Sequence, residues 1–307
     1  MNYRYLCNFK KTFGMTKSYK VAEHIFNLTL PDGSAIWEQL GQYSPFMLDE
    51  VCKDPLFSLE MVAELPQGEL STVFLPETED GETVIRLYHM GEDWVFDASP
   101  DHRIPTTART WTSKDFKQGK IAILDRKMRS AVFGINNALM LLFAFNTASL
   151  GTLEMHASMV SNSGKAFLFI ARSGTGKSTH SQQWLNFIPG TELMNDDNPI
   201  IRVWPDGRVT AYGSPWSGKT PCYRNVEAPV GAIVRIRRCP ENKITRFGVL
   251  DAYASVYSSC SGFKAQREMA DGLHATLEVI ATGVPCYVLD CRPDQEAAEV
   301  CSKEVLK

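Results

Sequence analysis

The strongest chemical signal in the sequence is a glycine-rich segment at residues 171–179, which reads ARSGTGKST. An apolar stretch at residues 166–170 precedes it, and the pattern that follows favours a helix beginning at Lys177. In this strand–loop–helix order, backbone N–H groups and the positive end of the helix dipole form a cradle for phosphate groups. Lys177 can reach the β- and γ-phosphates, and the Ser178 hydroxyl can bind Mg²⁺. The segment therefore predicts binding of a nucleoside triphosphate.

Two adjacent aspartates, Asp196 and Asp197, follow the glycine-rich segment at a distance that favours phosphoryl transfer. Such a reaction needs one carboxylate for the metal and one to accept the proton of the attacking hydroxyl. The pair is predicted at the entrance of a strand, and only Leu193 and Met194 precede Asn195, a shorter apolar run than in a standard ATPase. The alternative is a turn or helix-cap pair, because aspartates favour such positions.

Two further side chains are predicted to approach the same phosphates. His156 lies in a predicted strand at residues 154–160 that pairs with the strand before the glycine-rich segment, which could bring its imidazole to the phosphate end. Lys219 belongs to a second glycine- and serine-rich loop, GSPWSGKT at residues 213–220, and could offset the charge of the transferring phosphoryl group. The alternatives are a core histidine and an ordinary surface loop with a packed Trp216.

The composition is that of an ordinary globular protein, with 44% hydrophobic and 22% charged residues in 307. A net charge of −3 provides no basic surface for nucleic acid, so no nucleic-acid partner is expected. Eight cysteines without a CxxC pair and an N-terminus without a signal-peptide pattern predict a cytoplasmic protein with reduced thiols. Residues 131–150 carry no charge and are long enough to span a bilayer, but their asparagines favour a buried helix and no membrane association.

The elements that must position these side chains fall into two parts, a β-rich domain at residues 1–125 and a second domain at residues 126–307. Strands are predicted in the first part at residues 21–30, 69–75, 83–88, 94–97 and 120–124. A long helix at residues 126–148 begins the second part. It is followed by predicted strands at 154–160, 165–170, 199–204, 208–212, 231–236 and 285–289, and by helices at 177–186, 250–260, 267–282 and from 294. This alternation predicts an α/β fold with a mixed sheet.

Three segments together resemble the core of HPr kinase/phosphorylase, which is similar to the nucleotide domain of ATP-dependent phosphoenolpyruvate carboxykinase. They are MHASMV at residues 155–160, SGTGKS at 173–178 and NDD at 195–197. The GSPWSGK loop resembles a motif of smaller HPr-kinase-like proteins, including those that modify peptide precursors. The resemblance covers roughly residues 127–300. It implies a mixed-sheet P-loop domain of this type, preceded by a β-rich N-terminal domain of unassigned role.

The resemblance also implies roles for individual residues. It implies that Ser178 and one aspartate, assigned as Asp197, hold Mg²⁺ and that the other, Asp196, deprotonates the acceptor hydroxyl. The alternative is that the two aspartates exchange these roles. The resemblance further implies that His156 is the histidine that precedes the loop in the family. The residues that would bind ATP are Ser173, Gly174, Thr175, Gly176, Lys177, Ser178 and Thr179. With Lys219 from the second loop, the expected catalytic residues are Asp196, His156, Lys219 and Lys177.

The expected function is that of a Mg-ATP-dependent kinase that transfers the γ-phosphoryl group to a hydroxyl, a serine of a peptide or small protein. Thr179 stands where the bifunctional HPr enzymes often have an acid, which argues against phosphorylase activity and against HPr itself as substrate. The chain is far shorter than an ATP-dependent carboxykinase, so decarboxylation of oxaloacetate is not expected. The alternatives are a kinase of free serine or a sugar alcohol and an ATP-sensing module without turnover. The family often forms oligomers, which allows for a homo-oligomer here.

Overall fold

The computed structural model describes residues 14–75, 82–218, 220–261 and 267–307. The chain divides into two compact units, residues 1–146 and 147–307. The predicted α/β class with mixed sheets is confirmed, because both units combine parallel and antiparallel strand pairs with helices. The division between the units lies at the end of the long helix, whereas the sequence analysis placed it before that helix.

The first unit contains an eight-stranded sheet whose order is β1-β2-β3-β8-β7-β6-β5-β4. The pairs β2/β3 and β3/β8 are parallel and the others are antiparallel. The strands are β1 Gly14–Val21, β2 His24–Pro31, β3 Phe57–Met61, β4 Ser71–Phe74, β5 Val84–Met90, β6 Asp93–Ser99, β7 Ala108–Thr112 and β8 Gln118–Ile123, and short 3₁₀ helices span Ala35–Gln39 and Gly41–Phe46.

The long helix α1, Met128–Thr147, packs on the sheet of the first unit. A Cβ at Gly134 would lie 2.4 Å from the Cβ of Ala108, so only glycine allows the helix to lie this close to β7. The Asn146 amide donates to the Phe116 carbonyl at 3.0 Å and to the Leu142 carbonyl at 2.8 Å, so this polar group is satisfied inside the protein. The helix is long and apolar enough to cross a membrane, and 61% of its most apolar window is buried inside the protein.

The predicted strand at residues 21–30 begins only at His24 in the structure, so the prediction was wrong at its start. Residues 22–23 form the turn of a hairpin between β1 and β2. Ala22 and Glu23 form the turn with φ values of 47° and 66°. Residues other than glycine and asparagine rarely adopt this conformation, so no turn signal marks the position. The sequence analysis also did not predict β3 or β7, each of which is only five residues long.

The second unit contains a nine-stranded sheet in which one long strand, β15, joins two groups of strands. The first residues of β15 pair antiparallel with β14, and its later residues pair in parallel with β11 and β17. The strands are β9 Thr152–Glu154, β10 Ala157–Asn162, β11 Lys165–Ile170, β12 Glu192–Asp197, β13 Ile200–Val203, β14 Val209–Tyr212, β15 Glu227–Arg238, β16 Lys243–Arg246 and β17 Cys286–Cys291. The helices are α2 Lys177–Phe187, α3 Val249–Tyr257, α4 Arg267–Gly283 and α5 Gln295–Val305.

The two faces of this sheet bury separate apolar cores. One core joins Ile233 of β15 to α3 and α4, and we call this side the α3/α4 face. The other joins Val234 and Ile236 of β15 to Trp184 of α2 and to α5, and we call this side the α2/α5 face. Because side chains alternate between the faces of a strand, Arg235 belongs to the α3/α4 face and Arg238 to the α2/α5 face.

The predicted strand at residues 154–160 is interrupted in the structure. Residues of β9 pair with β13, whereas β10 pairs with β11 and β12, so the chain changes partners at Met155 and His156. His156 therefore lies immediately before β10, between two groups of strands. The interruption follows from pairings that are distant in the sequence, which local alternation does not encode.

Candidate functional site

The glycine-rich loop and the aspartate pair lie at the same edge of the second unit's sheet. Strand β10 lies between β11 and β12, and Ala157 is opposite both Ile170 and Asp197. Ile170 is the last residue of β11 before the loop, and Asp197 is the last residue of β12. Two strand spacings separate them, about 10 Å between Cα atoms. The sequence analysis predicted the two aspartates at the entrance of a strand. They lie instead at the end of β12, and this position places them at the same edge of the sheet as the loop.

The glycine-rich loop, residues 171–176, joins β11 to α2. Gly174 and Gly176 have φ values of 70° and 126°, so a side chain at either position would strain the backbone. Gly176 is the residue before the first turn of α2, which therefore begins at Lys177 as predicted. Ser178 and Thr179 are exposed in that first turn, beside the loop.

Arg238, which the sequence analysis did not identify, holds this loop from its outer side. Its Nε donates to the Thr175 carbonyl at 3.0 Å, and its Nη2 donates to the Gly174 carbonyl. Two carbonyls of the loop are thereby bonded to one guanidinium at the end of β15. The run of arginines that ends a strand, residues 235–238, was the only sequence signal for this contact.

A cavity of about 750 Å³ lies beside the loop on the α2/α5 face. Thr175 and Thr179 line one side of it, and Arg238 and Arg292 line the other. No carboxylate is among the described residues that line it. Its volume is within the range of small-molecule sites. Arg292 is paired with Asp294 and Glu296, whereas Arg238 bonds to backbone carbonyls of the loop and adds a positive charge that favours an anionic ligand.

Lys177, His156 and the two aspartates interact electrostatically. Burial lowers the pKa of Lys177, which is 9% exposed, while Asp197 and then Asp196 act in the opposite direction. Burial and the Lys177 charge lower the pKa of His156, and Asp197 opposes this shift. The Nε2 of His156 lies 3.7 Å from Oδ1 of Asp197. Four predicted site residues are therefore close together, and the imidazole is mainly neutral at pH 7.

Asp196 and Asp197 have different environments although they are adjacent. Asp196 is 3% exposed, and its Oδ2 has no hydrogen-bond partner among the described residues. Asp197 is partly exposed and has a φ of 138°, a conformation that non-glycine residues rarely adopt. Buried polar atoms are normally bonded, so the unpaired Oδ2 of Asp196 indicates a place for a ligand atom.

The second glycine- and serine-rich loop packs directly on the aspartates. The Asn195 amide donates to the Ser214 hydroxyl and to the Trp216 carbonyl, both at 3.1 Å. The Ser217 hydroxyl donates to the Asp196 carbonyl at 2.9 Å. Trp216 is buried, as one of the two alternatives anticipated, yet the loop is also part of the site. Lys219 lies outside the described residues.

Gly213→Ala tests whether this loop is held in place by its backbone. A Cβ at Gly213 would lie 2.0 Å from the Arg224 carbonyl oxygen, a contact that requires two backbone segments to move. We expect the free energy of unfolding to fall by about 1–3 kcal/mol, measured by urea denaturation. Gly248→Ala is the matched control, since nothing lies within 4 Å of its Cβ position. Equal stability of the two variants would contradict the packing described here.

Glu154 is a second residue that the sequence analysis missed. It is fully buried on β9, and neither carboxylate oxygen has a hydrogen-bond partner in the described part of the chain. Burial, followed by repulsion from Asp197, raises its pKa to about 8. Ser261 lies close enough to oppose this shift, although it does not reach hydrogen-bond geometry. Its position between two apolar residues, Leu153 and Met155, was the feature of the sequence that could have indicated a buried acid.

Comparisons with known proteins give a distant similarity in structure only. No family model matches the chain, and no curated protein matches it. Among solved structures, the HPr(Ser) kinase/phosphatase from Coxiella burnetii matches with a TM-score of 0.31 and 10% sequence identity. The match covers 50% of this chain and 96% of that one. A TM-score and an identity this low show nothing about activity. The function is therefore inferred from the site itself.

Proposed function

We propose that this protein is a Mg-ATP-dependent kinase that transfers the γ-phosphoryl group of ATP to a hydroxyl acceptor. The observation that carries the proposal is the shared sheet edge. The glycine-rich loop ends β11, the two aspartates end β12, and His156 precedes the strand between them. A phosphate cradle, a cation and two carboxylates in one place are the parts that phosphoryl transfer requires.

Residues of the loop and the first turn of α2 would bind the triphosphate. The candidate binding residues are Ser173, Gly174, Thr175, Gly176, Lys177, Ser178 and Thr179. The start of α2 contributes a positive partial charge and unpaired N–H groups. The cavity beside Thr175 and Thr179 would take the nucleoside, with Arg238 and Arg292 near its phosphates. Lys177, held between the loop and the aspartates, would contact the β- and γ-phosphates.

The residues present fit a magnesium ion that is shared with the nucleotide. The described residues contain no group of three or more His, Cys, Asp or Glu arranged to hold a metal. Mg²⁺ commonly needs only one or two protein oxygens, because phosphates and waters complete its shell. Ser178 and Asp197 would supply these oxygens. When bound, the ion would neutralise negative charge on the β- and γ-phosphates.

The proton of the acceptor hydroxyl would pass to Asp196. Its unpaired, buried Oδ2 can accept a hydrogen bond from the attacking oxygen, which orients that oxygen. His156, neutral at pH 7 and beside Asp197, would hold that carboxylate in place. Lys219 is proposed to offset charge on the phosphoryl group as it moves. A serine hydroxyl of a peptide or small protein remains the acceptor proposed from the sequence.

Lys177→Met tests nucleotide binding. We expect the affinity for Mg-AMPPNP, a non-hydrolysable ATP analogue, to fall about 10- to 100-fold, because charged hydrogen bonds to the phosphates are lost. Isothermal titration calorimetry measures the change. Lys165→Met, at the opposite end of β11 and exposed, is the control and should bind as the wild type does. Tight binding by Lys177→Met, or no binding by the wild type, would overturn the proposal.

A further inference from the structure

Arg235 is a half-buried arginine whose charge is not balanced by a carboxylate in the described part of the chain. Its Nη1 donates to the Ser255 hydroxyl at 3.2 Å and to the Ser258 hydroxyl at 3.0 Å. Both partners are neutral. A guanidinium that is partly removed from water and has only hydroxyl partners retains the capacity to bind an anion.

The other arginines of the second unit whose side chains form polar contacts in the described part of the chain are arranged differently. Five of them pair with carboxylates: Arg208 with Asp206, Arg224 with Glu192, Arg237 with Asp290, Arg267 with Asp271, and Arg292 with Asp294 and Glu296. Arg238 bonds to the carbonyls of the glycine-rich loop. Arg235 differs from these because its partners are two serine hydroxyls on α3 and the turn after it.

The location of Arg235 connects it to the proposed site. Arg235 pairs with Ile170, the last residue before the glycine-rich loop. The strand pairings therefore place Arg235 in the same row across the sheet as Ala157 and Asp197. The turn that carries Ser258 also contacts the site, since the Ser259 carbonyl accepts a hydrogen bond from the His156 N–H at 2.7 Å. The segment at residues 255–259 therefore contacts Arg235 through two hydroxyls and His156 through one carbonyl.

The face of the sheet distinguishes Arg235 from the residues proposed for the nucleotide. Ile236 and Arg238 line the cavity on the α2/α5 face. Arg235 lies on the α3/α4 face, where its hydroxyl partners are. An anion bound by Arg235 would therefore lie on the side of the sheet opposite the nucleoside cavity.

We propose that Arg235, with the hydroxyls of Ser255 and Ser258, binds a carboxylate group of the phosphoryl acceptor. The inference rests on the proposed kinase function and narrows its substrate class to hydroxyl compounds that also carry a carboxylate. One guanidinium and two neutral hydroxyls provide a single positive charge, which matches a monoanionic carboxylate better than a phosphate dianion. This class includes free hydroxy acids and a serine at the C-terminus of a peptide.

The test compares two probes that share one hydroxyl and differ in charge. N-acetyl-L-serine carries a carboxylate, and N-acetyl-L-serinamide carries a neutral amide in its place. Each is titrated into protein saturated with Mg-AMPPNP, and dissociation constants are measured by ligand-observed NMR. The wild type should bind the carboxylate at least about tenfold more tightly than the amide, as charged hydrogen bonds predict.

Arg235→Gln should lose this preference, with the affinity for the amide and for Mg-AMPPNP unchanged. Arg237→Gln is the matched control, because it removes an exposed arginine of the same strand that is paired with Asp290. It should keep the wild-type preference. An equal affinity of the wild type for both probes, or an unchanged preference in Arg235→Gln, would overturn the carboxylate site.

Two further results separate this proposal from the function on which it rests. A loss of Mg-AMPPNP affinity in Arg235→Gln would assign the arginine to the nucleotide and overturn its assignment to the acceptor. Failure of the wild type to bind Mg-AMPPNP would contradict the kinase function itself. In that case the two probes are compared on the nucleotide-free protein, where the preference for the carboxylate still decides whether the anion site exists.

Discussion

Replacing Asp196 with asparagine is expected to lower the rate of phosphoryl transfer about a thousandfold, within the range that general-base catalysis contributes. The asparagine amide has nearly the same shape as the carboxylate but cannot accept the proton of the acceptor hydroxyl. Because Asp196 is buried and its Oδ2 has no partner among the described residues, the substitution removes a base without breaking a hydrogen bond of that atom. Initial rates with labelled ATP and a hydroxyl acceptor measure the effect.

Nucleotide binding should distinguish a chemical defect from a structural one. Asp196→Asn should bind Mg-AMPPNP with wild-type affinity or better, since a negative charge near the phosphates has been removed. Asp206→Asn is the control, because Asp206 is in the exposed turn between β13 and β14. Transfer at the wild-type rate by Asp196→Asn would exclude the role that we assign to this carboxylate.

The stability of the metal-free protein is expected to depend on pH through Glu154. Its folded-state pKa is about 8, against 4.5 for an ordinary glutamate. Between these values the native state keeps a proton that the unfolded state has released, so stability falls as pH rises from about 4.5 to about 8. The total loss is on the order of 5 kcal/mol, and no further loss occurs above that window.

Glu154→Gln should flatten this part of the stability curve, because glutamine does not titrate. The measurement is the free energy of unfolding in urea at several pH values between 4.5 and 8, without added magnesium. Glu227→Gln, which replaces an exposed glutamate at the start of β15, should retain the wild-type slope. Parallel curves for the wild type and Glu154→Gln would show that the carboxyl group is not buried as described.

Much of the second unit was predictable because its signals are local. The apolar run of β11, the glycines after it and the start of α2 are consecutive in the sequence. The hairpin of β13 and β14 is marked by Pro205 and Gly207 at its turn. Four of the proposed catalytic and metal-binding residues, His156, Lys177, Asp196 and Asp197, interact in the structure, as the sequence analysis expected of a common site.

The features that sequence analysis missed depend on contacts between distant residues. Glu154 is buried because β9 pairs with β13, and Arg238 reaches the glycine-rich loop because β15 lies beside β11. The division between the units follows α1 because this helix packs on the first unit's sheet, a contact between residues that are distant in the sequence. The turn at Ala22 and Glu23 uses residues that carry no turn preference.

The shared strand β15 has a consequence for incomplete chains of this protein. It covers the edge of β11 on one side and, through its first residues, the edge of β14. A chain that stops before residue 227 would already contain β11 and β14 but would leave both edges open. Exposed edges of apolar strands are templates for intermolecular pairing, so translation products truncated in this region should aggregate.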